Sequence, residues 1–276
     1  MKADLTPQEY LAFKKFLQDA CGILLGENKQ YLAKSRLCRI LEEHRFESLG
    51  ALLEELQRPG RGGLREVVID AMTTNETLWF RDNHPFRILQ DKLLPEFADR
   101  KGNQPLRFWS AACSTGQEPY SVAMALEEFR RQRQGTLRDA RITATDISQS
   151  VLEVARKGEY EMLATGRGGL SPERQKLFFQ PSPNGGWQIN AQLKKMVEFK
   201  LLNLLDRFVL GKFDVVMCRN VLIYFSGELK KDILTRIHAT LNPGGYLILG
   251  ASESLNGLSD LYEMVRCQPG IIYRKK

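Results

Sequence analysis

The sequence predicts an α/β fold preceded by a small all-α domain, and three observations carry that prediction. From Leu106 onward, apolar strand candidates alternate with helical patterns, the sign of a mainly parallel sheet covered on both faces. Residues 1–72 show helical spacing only. Between residues 107 and 121 the sequence RFWSAACSTGQEPYS runs from an apolar strand into a small-residue loop with a single Gly116, an acid at Glu118 and Pro119 to start a helix. Small side chains at the carboxyl end of a strand let a ligand press on the backbone, which is where open α/β sheets bind nucleotide-like molecules.

The first helix begins at Thr6-Pro7-Gln8-Glu9, which has capping-box spacing with proline at the first helical position. Tyr10, Phe13, Phe16, Leu17 and Ala20 follow at helical intervals. A second helix, through Tyr31, Leu32, Leu37, Ile40 and Leu41, is interleaved with Lys29, Lys34, Arg36, Arg39 and Arg45, a basic stripe beside a buried face. Ser48 is placed to cap a third helix, through Leu49, Leu52, Leu53 and Leu56, which Pro59-Gly60-Arg61-Gly62-Gly63 ends; Leu64 to Met72 resumes helical spacing. A connector, residues 73–90, opens with TTNETLWFR, dense in hydrogen-bonding groups and unlike a Gly/Ser linker. It can wall a pocket, or it can be a polar connection in which Arg81 pairs with a nearby carboxylate.

The second domain, residues 91–276, has strand candidates at 106–111, 142–145, 197–202, 213–218 and 246–249. Val122, Leu126 and Phe129 mark one intervening helix, and Leu229, Ile233, Ile237 and Leu241 another. Residues 261–267, the turn Gln268-Pro269-Gly270 and residues 271–273 read as a terminal hairpin. That hairpin brings in an antiparallel strand, which a dinucleotide-binding Rossmann domain does not normally have. An insertion at 158–196 is too long for an ordinary connection. Phe178-Phe179, a turn over 181–186 and Trp187-Gln188-Ile189 predict an antiparallel hairpin within it.

Composition narrows the function classes. The start, MKADLTPQEYLAFKKF, has no apolar run fit for a signal peptide, and no stretch approaches the roughly 18 to 20 apolar residues of a membrane span; a cytoplasmic location is expected. Cys21, Cys38, Cys113, Cys218 and Cys267 are odd in number and scattered, so they form neither a disulfide framework nor a metal clip. His44, His84 and His238 stand far apart, which disfavours a structural zinc or a histidine-based triad. A net charge of +7 favours an acidic partner (nucleic acid, membrane surface or protein) or is simply a solvated basic surface.

Three loops at strand ends align. Ser114 to Glu118 follows the first strand, Thr145-Asp146-Ile147-Ser148 the second, and Cys218 to Phe225 the fourth. An acid at a second strand end, here Asp146, commonly accepts from ribose hydroxyls, or else caps a helix. No G-x-G-x-x-G or G-x-x-x-x-G-K-[ST] occurs, so a pyrophosphate or triphosphate lacks its usual glycine cradle. A nucleoside ligand without phosphates is expected. S-adenosylmethionine is such a ligand, with Glu118 suited to its ammonium and Arg81 to its carboxylate.

The segments TTNETLWFR, FWSAACSTGQEPYS, ITATDIS, VMCRNVLIYF and LNPGGYLILG together closely resemble the chemotaxis receptor methyltransferases of the CheR family, in family order over nearly the whole chain. The resemblance implies a Rossmann-like S-adenosylmethionine-dependent methyltransferase fold, with a small N-terminal all-α domain and an inserted antiparallel β-subdomain. It implies methyl transfer from S-adenosylmethionine to the γ-carboxylate of glutamates on chemoreceptor cytoplasmic domains, with S-adenosylhomocysteine as product. Carried over by motif, the cofactor contacts fall on Asn75, Thr77, Arg81, Glu118, Asp146, Leu202, Asn203, Arg219 and Asn220, with no metal. Tyr224 is expected near the transferred methyl and the incoming glutamate, or as a packed aromatic at a helix entrance. The second helix, with Lys34, Arg36, Arg39 and Arg45, is expected to meet the acidic receptor surface. Some members hold a receptor's carboxyl-terminal peptide in the β-subdomain; the shorter turn here implies no such docking. A monomer, peripheral to membrane-bound receptor arrays and with no nucleic-acid partner, is expected.

A glutamate nucleophile is already ionised near neutral pH, so no general base is required. Rate is then expected from alignment and from stripping water off the carboxylate. A nucleic-acid methyltransferase would welcome the positive charge, yet neither an Asp/Asn-Pro-Pro-Tyr/Phe motif nor a Pro-Cys nucleophile is present. A non-catalytic cofactor sensor shares every motif, and an NAD-dependent oxidoreductase is disfavoured by the missing glycine fingerprint.

Overall fold

The computed structural model describes residues 5–101, 104–161, 169–255 and 257–276; residues 1–4 of the expected helical domain and 162–168 of the expected insertion lie outside them. At the start of α1 (Pro7–Cys21) the capping box closes: Thr6 Oγ1 accepts from the Glu9 N–H, and the Glu9 carboxylate accepts from the Thr6 N–H. α2 (Gln30–Glu43), α3 (Leu49–Gln57) capped by Ser48, and α4 (Gly62–Met72) follow. Their apolar residues at three- and four-residue spacing meet in one core, where Phe13, Leu17, Leu37 and Leu52 are fully buried. α5 (His84–Ile88) then passes through a π-helical turn, Leu89–Leu93, into α6 (Leu94–Lys101). This continuous helical stretch was not expected from the sequence; it packs Phe86, Leu89, Leu93 and Phe97 into the core of the second domain.

The strands are β1 (Leu106–Ser110), β2 (Ala140–Asp146), β3 (Glu159–Tyr160), β4 (Phe179–Pro181), β5 (Trp187–Ile189), β6 (Val197–Leu201), β7 (Phe213–Cys218), β8 (Leu241–Leu249), β9 (Tyr262–Arg266) and β10 (Ile271–Lys275). Seven of them form one sheet in the order β6-β2-β1-β7-β8-β10-β9. The pairings from β6 to β8 are parallel, whereas β10 runs antiparallel to both β8 and β9, as the terminal hairpin predicts. Residues of a strand point alternately to opposite faces. Phe108, Val215 and Met217 therefore join the core under α7 (Gln117–Gln132), while Trp109, Val216 and Cys218 join the core under α10 (Gly227–Thr240). β8 starts at Leu241, earlier than the expected Tyr246. Phe213 faces Leu241 but Val215 faces Tyr246, so residues 242–245 are taken up as a bulge.

The insertion forms a second small sheet, β3-β5-β4, in which Gln180 of β4 and Glu159 of β3 both face Gln188 of β5. Arg174 of α9 (Pro172–Phe178) pins it: its guanidinium pairs with Glu128 of α7 and lies 3.8 Å over the Phe80 ring. The helical domain is tied to the sheet at its upper rim. Leu24 N–H donates to the Tyr224 carbonyl (2.9 Å), Asn203 Nδ2 to the Ala20 carbonyl (2.7 Å), and Ser148 Oγ to the Asp70 carboxylate.

Candidate active site

β1 pairs with β2 on one side and β7 on the other. The chain therefore reverses its direction of winding there, which opens a crevice at the carboxyl ends of these strands. A cavity of about 300 Å³ lies at this point, closed over by Ile23, Leu24 and Leu25 of the helical domain. That volume suits a small molecule. Asn75, Thr77, Arg81, Glu118, Asp146, Leu202, Asn203, Arg219, Asn220 and Tyr224 all line it.

The loop after β1 enters α7 through Gly116, whose φ of 94° lies in the left-handed region that only glycine adopts without steric cost. A Cβ there would sit 2.9 Å from the Cβ of Ala155, on α8 (Gln149–Lys157). α7 starts at Gln117, so Pro119 lies inside its first turn and does not open it. Glu118, in the same turn, is buried; Ser110 Oγ donates to its Oε1 (2.7 Å) and Arg219 Nη1 to its Oε2 (2.8 Å). Burial pushes the Glu118 carboxyl above its usual range, while Arg219 and the Ser110 hydroxyl oppose the rise. Arg219 is itself held by the Arg81 carbonyl (2.9 Å) and the Asp82 carboxylate (2.8 Å), yet its buried Nε has no hydrogen-bond partner among the described residues.

Asp146 closes β2. Its Oδ2 accepts from the Ser114 N–H (2.8 Å) and its Oδ1 from the Ser148 N–H (3.0 Å); each carboxylate oxygen has a further lone pair to offer. Burial raises this carboxyl too, opposed by those backbone donors. Ser148 Oγ caps α8 through the Val151 N–H, as its position after the strand predicts. In the connector, Asn75 accepts from Ser114 Oγ at its carbonyl, and Arg81 Nη1 donates to the Glu76 carbonyl (3.0 Å). Beyond β7, Asn220 takes a φ of 58° and leads into a 3₁₀ turn, Leu222–Tyr224, that brings Tyr224 to the cavity.

This fold and site can be set beside known proteins. The CheR methyltransferase all-alpha domain matches residues 8–73, and the CheR methyltransferase SAM binding domain matches residues 75–271. The chain belongs to the CheR methyltransferase family. It is 57% identical over 270 residues to chemotaxis protein methyltransferase Cher2 of Pseudomonas putida, covering 97% of this chain and 98% of the relative. It is 56% identical, with the same coverage, to chemotaxis protein methyltransferase 1 of Pseudomonas aeruginosa. Against the chemotaxis protein methyltransferase of Vibrio parahaemolyticus it is 52% identical, over 99% of this chain and 98% of that one. The CheR chain is thus a chemotaxis protein methyltransferase with an S-adenosylmethionine-binding domain.

The donor set fits that cofactor: a carboxylate at Glu118 for an ammonium, a guanidinium at Arg81 for a carboxylate, and Asp146 for ribose hydroxyls. Among the described residues of the CheR chain no group of three or more His, Cys, Asp and Glu is placed to hold a metal ion, and no helix is long and apolar enough to cross a membrane.

The basic stripe needs correction. At about 100° per residue, Lys34 stands roughly 160° around the helix from Arg36 and 140° from Arg39. Arg45 lies beyond the end of α2, with a φ of 57°. Arg36 turns inward and donates to the carbonyls of Met72 (2.6 Å) and Thr73 (3.0 Å) and to Thr74 Oγ1, because the chain leaving α4 offers uncapped carbonyl groups there. It lines the cofactor cavity of this CheR domain pair. Arg39 is exposed and pairs with Glu43, and Arg45 is exposed.

Several site residues escaped the sequence reading. Asp82 and Glu253 reach the site only through contacts between distant segments, with Arg219 and Asn220 respectively. The Ile23-Leu24-Leu25 triplet carried a readable signal: an apolar run between Gly22 and Gly26, in a loop that has no helix to bury it.

Proposed function

We propose that this chain transfers a methyl group from S-adenosylmethionine to the γ-carboxylate of glutamates on chemoreceptor cytoplasmic domains, giving glutamyl methyl esters and S-adenosylhomocysteine. The observation that carries this reading is the convergence of Glu118, Asp146 and Tyr224, from three separate strand ends, on one cavity in a chain so similar to chemotaxis protein methyltransferases. The cofactor, when bound, supplies a methyl group on a sulfonium, an electrophile with a neutral leaving group.

In this reading Glu118 and Arg81 hold the charged end of the cofactor, and Asp146 its ribose. Asn75, Thr77, Leu202, Asn203 and Asn220 shape the remaining wall. Tyr224 orients the incoming carboxylate and helps keep water from it. No side chain has to take a proton, because a glutamate with a solution pKa near 4.3 arrives ionised. Orientation and desolvation are then the main sources of rate. Arg39, Arg45 and Lys34 are the cations proposed to steer acidic receptor helices, and Arg36 is reassigned to bracing the connector. We read the protein as a cytoplasmic monomer that visits membrane-bound receptor arrays, with neither a metal nor nucleic acid in its reaction and without tail docking at the β3-β5-β4 sheet.

Incubation with methyl-labelled S-adenosylmethionine and receptor-bearing membranes tests this. The label is expected on receptor bands and is expected to leave as methanol in base, as a carboxyl ester does. Base-stable label, or none on receptors, refutes it.

A further inference from the structure

Glu253 lies in the turn after β8 and has no part in the site as read from the sequence. Its Oε2 accepts from the N–H groups of Asn220 (2.8 Å) and Gly250 (2.8 Å), and its Oε1 from those of Val221 (3.0 Å) and Leu222 (2.8 Å). Three of the four donors are consecutive. Successive amides converge on one anion only when the backbone is bent into a concave nest with a left-handed residue, and Asn220, at φ 58°, supplies that bend. The same amides open the 3₁₀ turn Leu222–Tyr224, whose first N–H groups have no partner within the turn.

The fit is tight. A Cβ on Gly250 would come within 2.6 Å of Glu253 Oε2 and 2.9 Å of the Asn220 nitrogen. The turn so held carries Arg219, which pairs with Glu118, and then Asn220, Val221 and Tyr224, all of which line the cofactor cavity. From the other side it is met by Leu24, whose N–H donates to the Tyr224 carbonyl.

We propose that Glu253 is a positioning residue: by gathering the amides of Asn220, Val221 and Leu222, its carboxylate fixes the turn that presents Asn220 and Tyr224 to the cofactor cavity. The catalytic part of this inference rests on the reading of Tyr224 given above. Gln at 253 keeps the shape of the side chain but replaces one acceptor oxygen by an NH₂ group, which faces the amides donor to donor.

The test uses the full chain and two readouts. By hydrogen exchange and mass spectrometry, peptides spanning 219–225 in Glu253→Gln are expected to exchange about tenfold or more faster, with α2 and α7 unchanged. In receptor methylation, kcat is expected to fall about tenfold or more, and S-adenosylhomocysteine affinity to weaken by a smaller factor, because the turn also carries Arg219 and Asn220. Combined with Tyr224→Phe, the second substitution should cost far less than it does alone, since both act through one turn. Gly250→Ala, which crowds the carboxylate without removing it, should reproduce the exchange pattern more weakly. Wild-type protection at 220–222 with wild-type kcat in Glu253→Gln overturns the inference, as does a loss of protection spread over the whole domain. Full turnover in Tyr224→Phe overturns the reading of Tyr224 alone; faster exchange confined to 219–225 in Glu253→Gln still supports the positioning role.

Discussion

At Glu118 two influences oppose each other: burial favours the protonated carboxyl, and Arg219 at 2.8 Å favours the carboxylate that a ligand ammonium needs. Arg219→Met removes the second. Glu118 then takes up its proton at a higher pH than in the wild type, so affinity for S-adenosylhomocysteine should fall, and as pH is lowered from neutral into the acid range the loss should set in earlier than in the wild type. Titrations across that range check this; parallel curves would contradict it. Stability follows the same linkage. A carboxyl raised above its ordinary value of 4.5 binds its proton more tightly when folded. Its contribution is therefore complete below that value and is lost as pH rises through the folded value, which in the variant lies further up. Breaking the buried pair should also lower unfolding stability by about 3 kcal/mol.

The element that places Glu118 is the turn through Gly116, and it tolerates no side chain. Gly116→Ala combines a φ of 94° with a Cβ only 2.9 Å from Ala155. A loss of about 1–3 kcal/mol is expected, measured as a lower urea midpoint at unchanged slope. Elements of this kind were legible because their signals are local. The caps at Thr6, Ser48 and Ser148, the run of parallel strands and the hairpin at Pro269-Gly270 are written in adjacent residues. Where a neighbour decides the outcome, reading fails. The helical spacing of Leu229, Ile233 and Ile237 extends to Leu241, but the helix ends at Thr240 and pairing with β7 draws Leu241 into β8. The helical stretch over 84–101 went unassigned because its π-helical turn shifts the apolar period, with Pro95 close behind. The site divides in the same way: Glu118 and Asp146 announce themselves as acids after strands, whereas Glu253 is joined to Asn220 across 33 positions. Arg36 looked like a surface cation because nothing in its own segment reveals the carbonyls of Met72 and Thr73.

For the whole molecule, the helical domain walls the cavity and, in the proposed function, also serves as the docking face. It closes the cavity with residues 23–25 and meets Tyr224 and Asn203 by hydrogen bonds, while Arg39 and Arg45 stay on its outer surface. With a net charge of +7 behind them, these cations should act on encounter with acidic receptor helices more than on cofactor binding. Arg39→Glu with Arg45→Glu is expected to lower kcat/KM for receptor methylation about tenfold at low ionic strength, to leave S-adenosylhomocysteine affinity unchanged, and to lose much of its effect as salt screens the charges. Receptor methylation assayed over a salt series, beside the binding titration, checks both halves.

The central physical claim is that an adenosyl ligand sits at the carboxyl ends of β1, β2 and β7 with its ammonium on Glu118. Calorimetry of S-adenosylhomocysteine binding to the wild type and to Glu118→Gln tests it most directly. One site per chain is expected in the wild type, weakened about 10- to 100-fold in the variant, as suits a lost charge-assisted hydrogen bond of roughly 1.5–3 kcal/mol. Equal affinities in the two proteins, or no binding heat with the wild type, would contradict it.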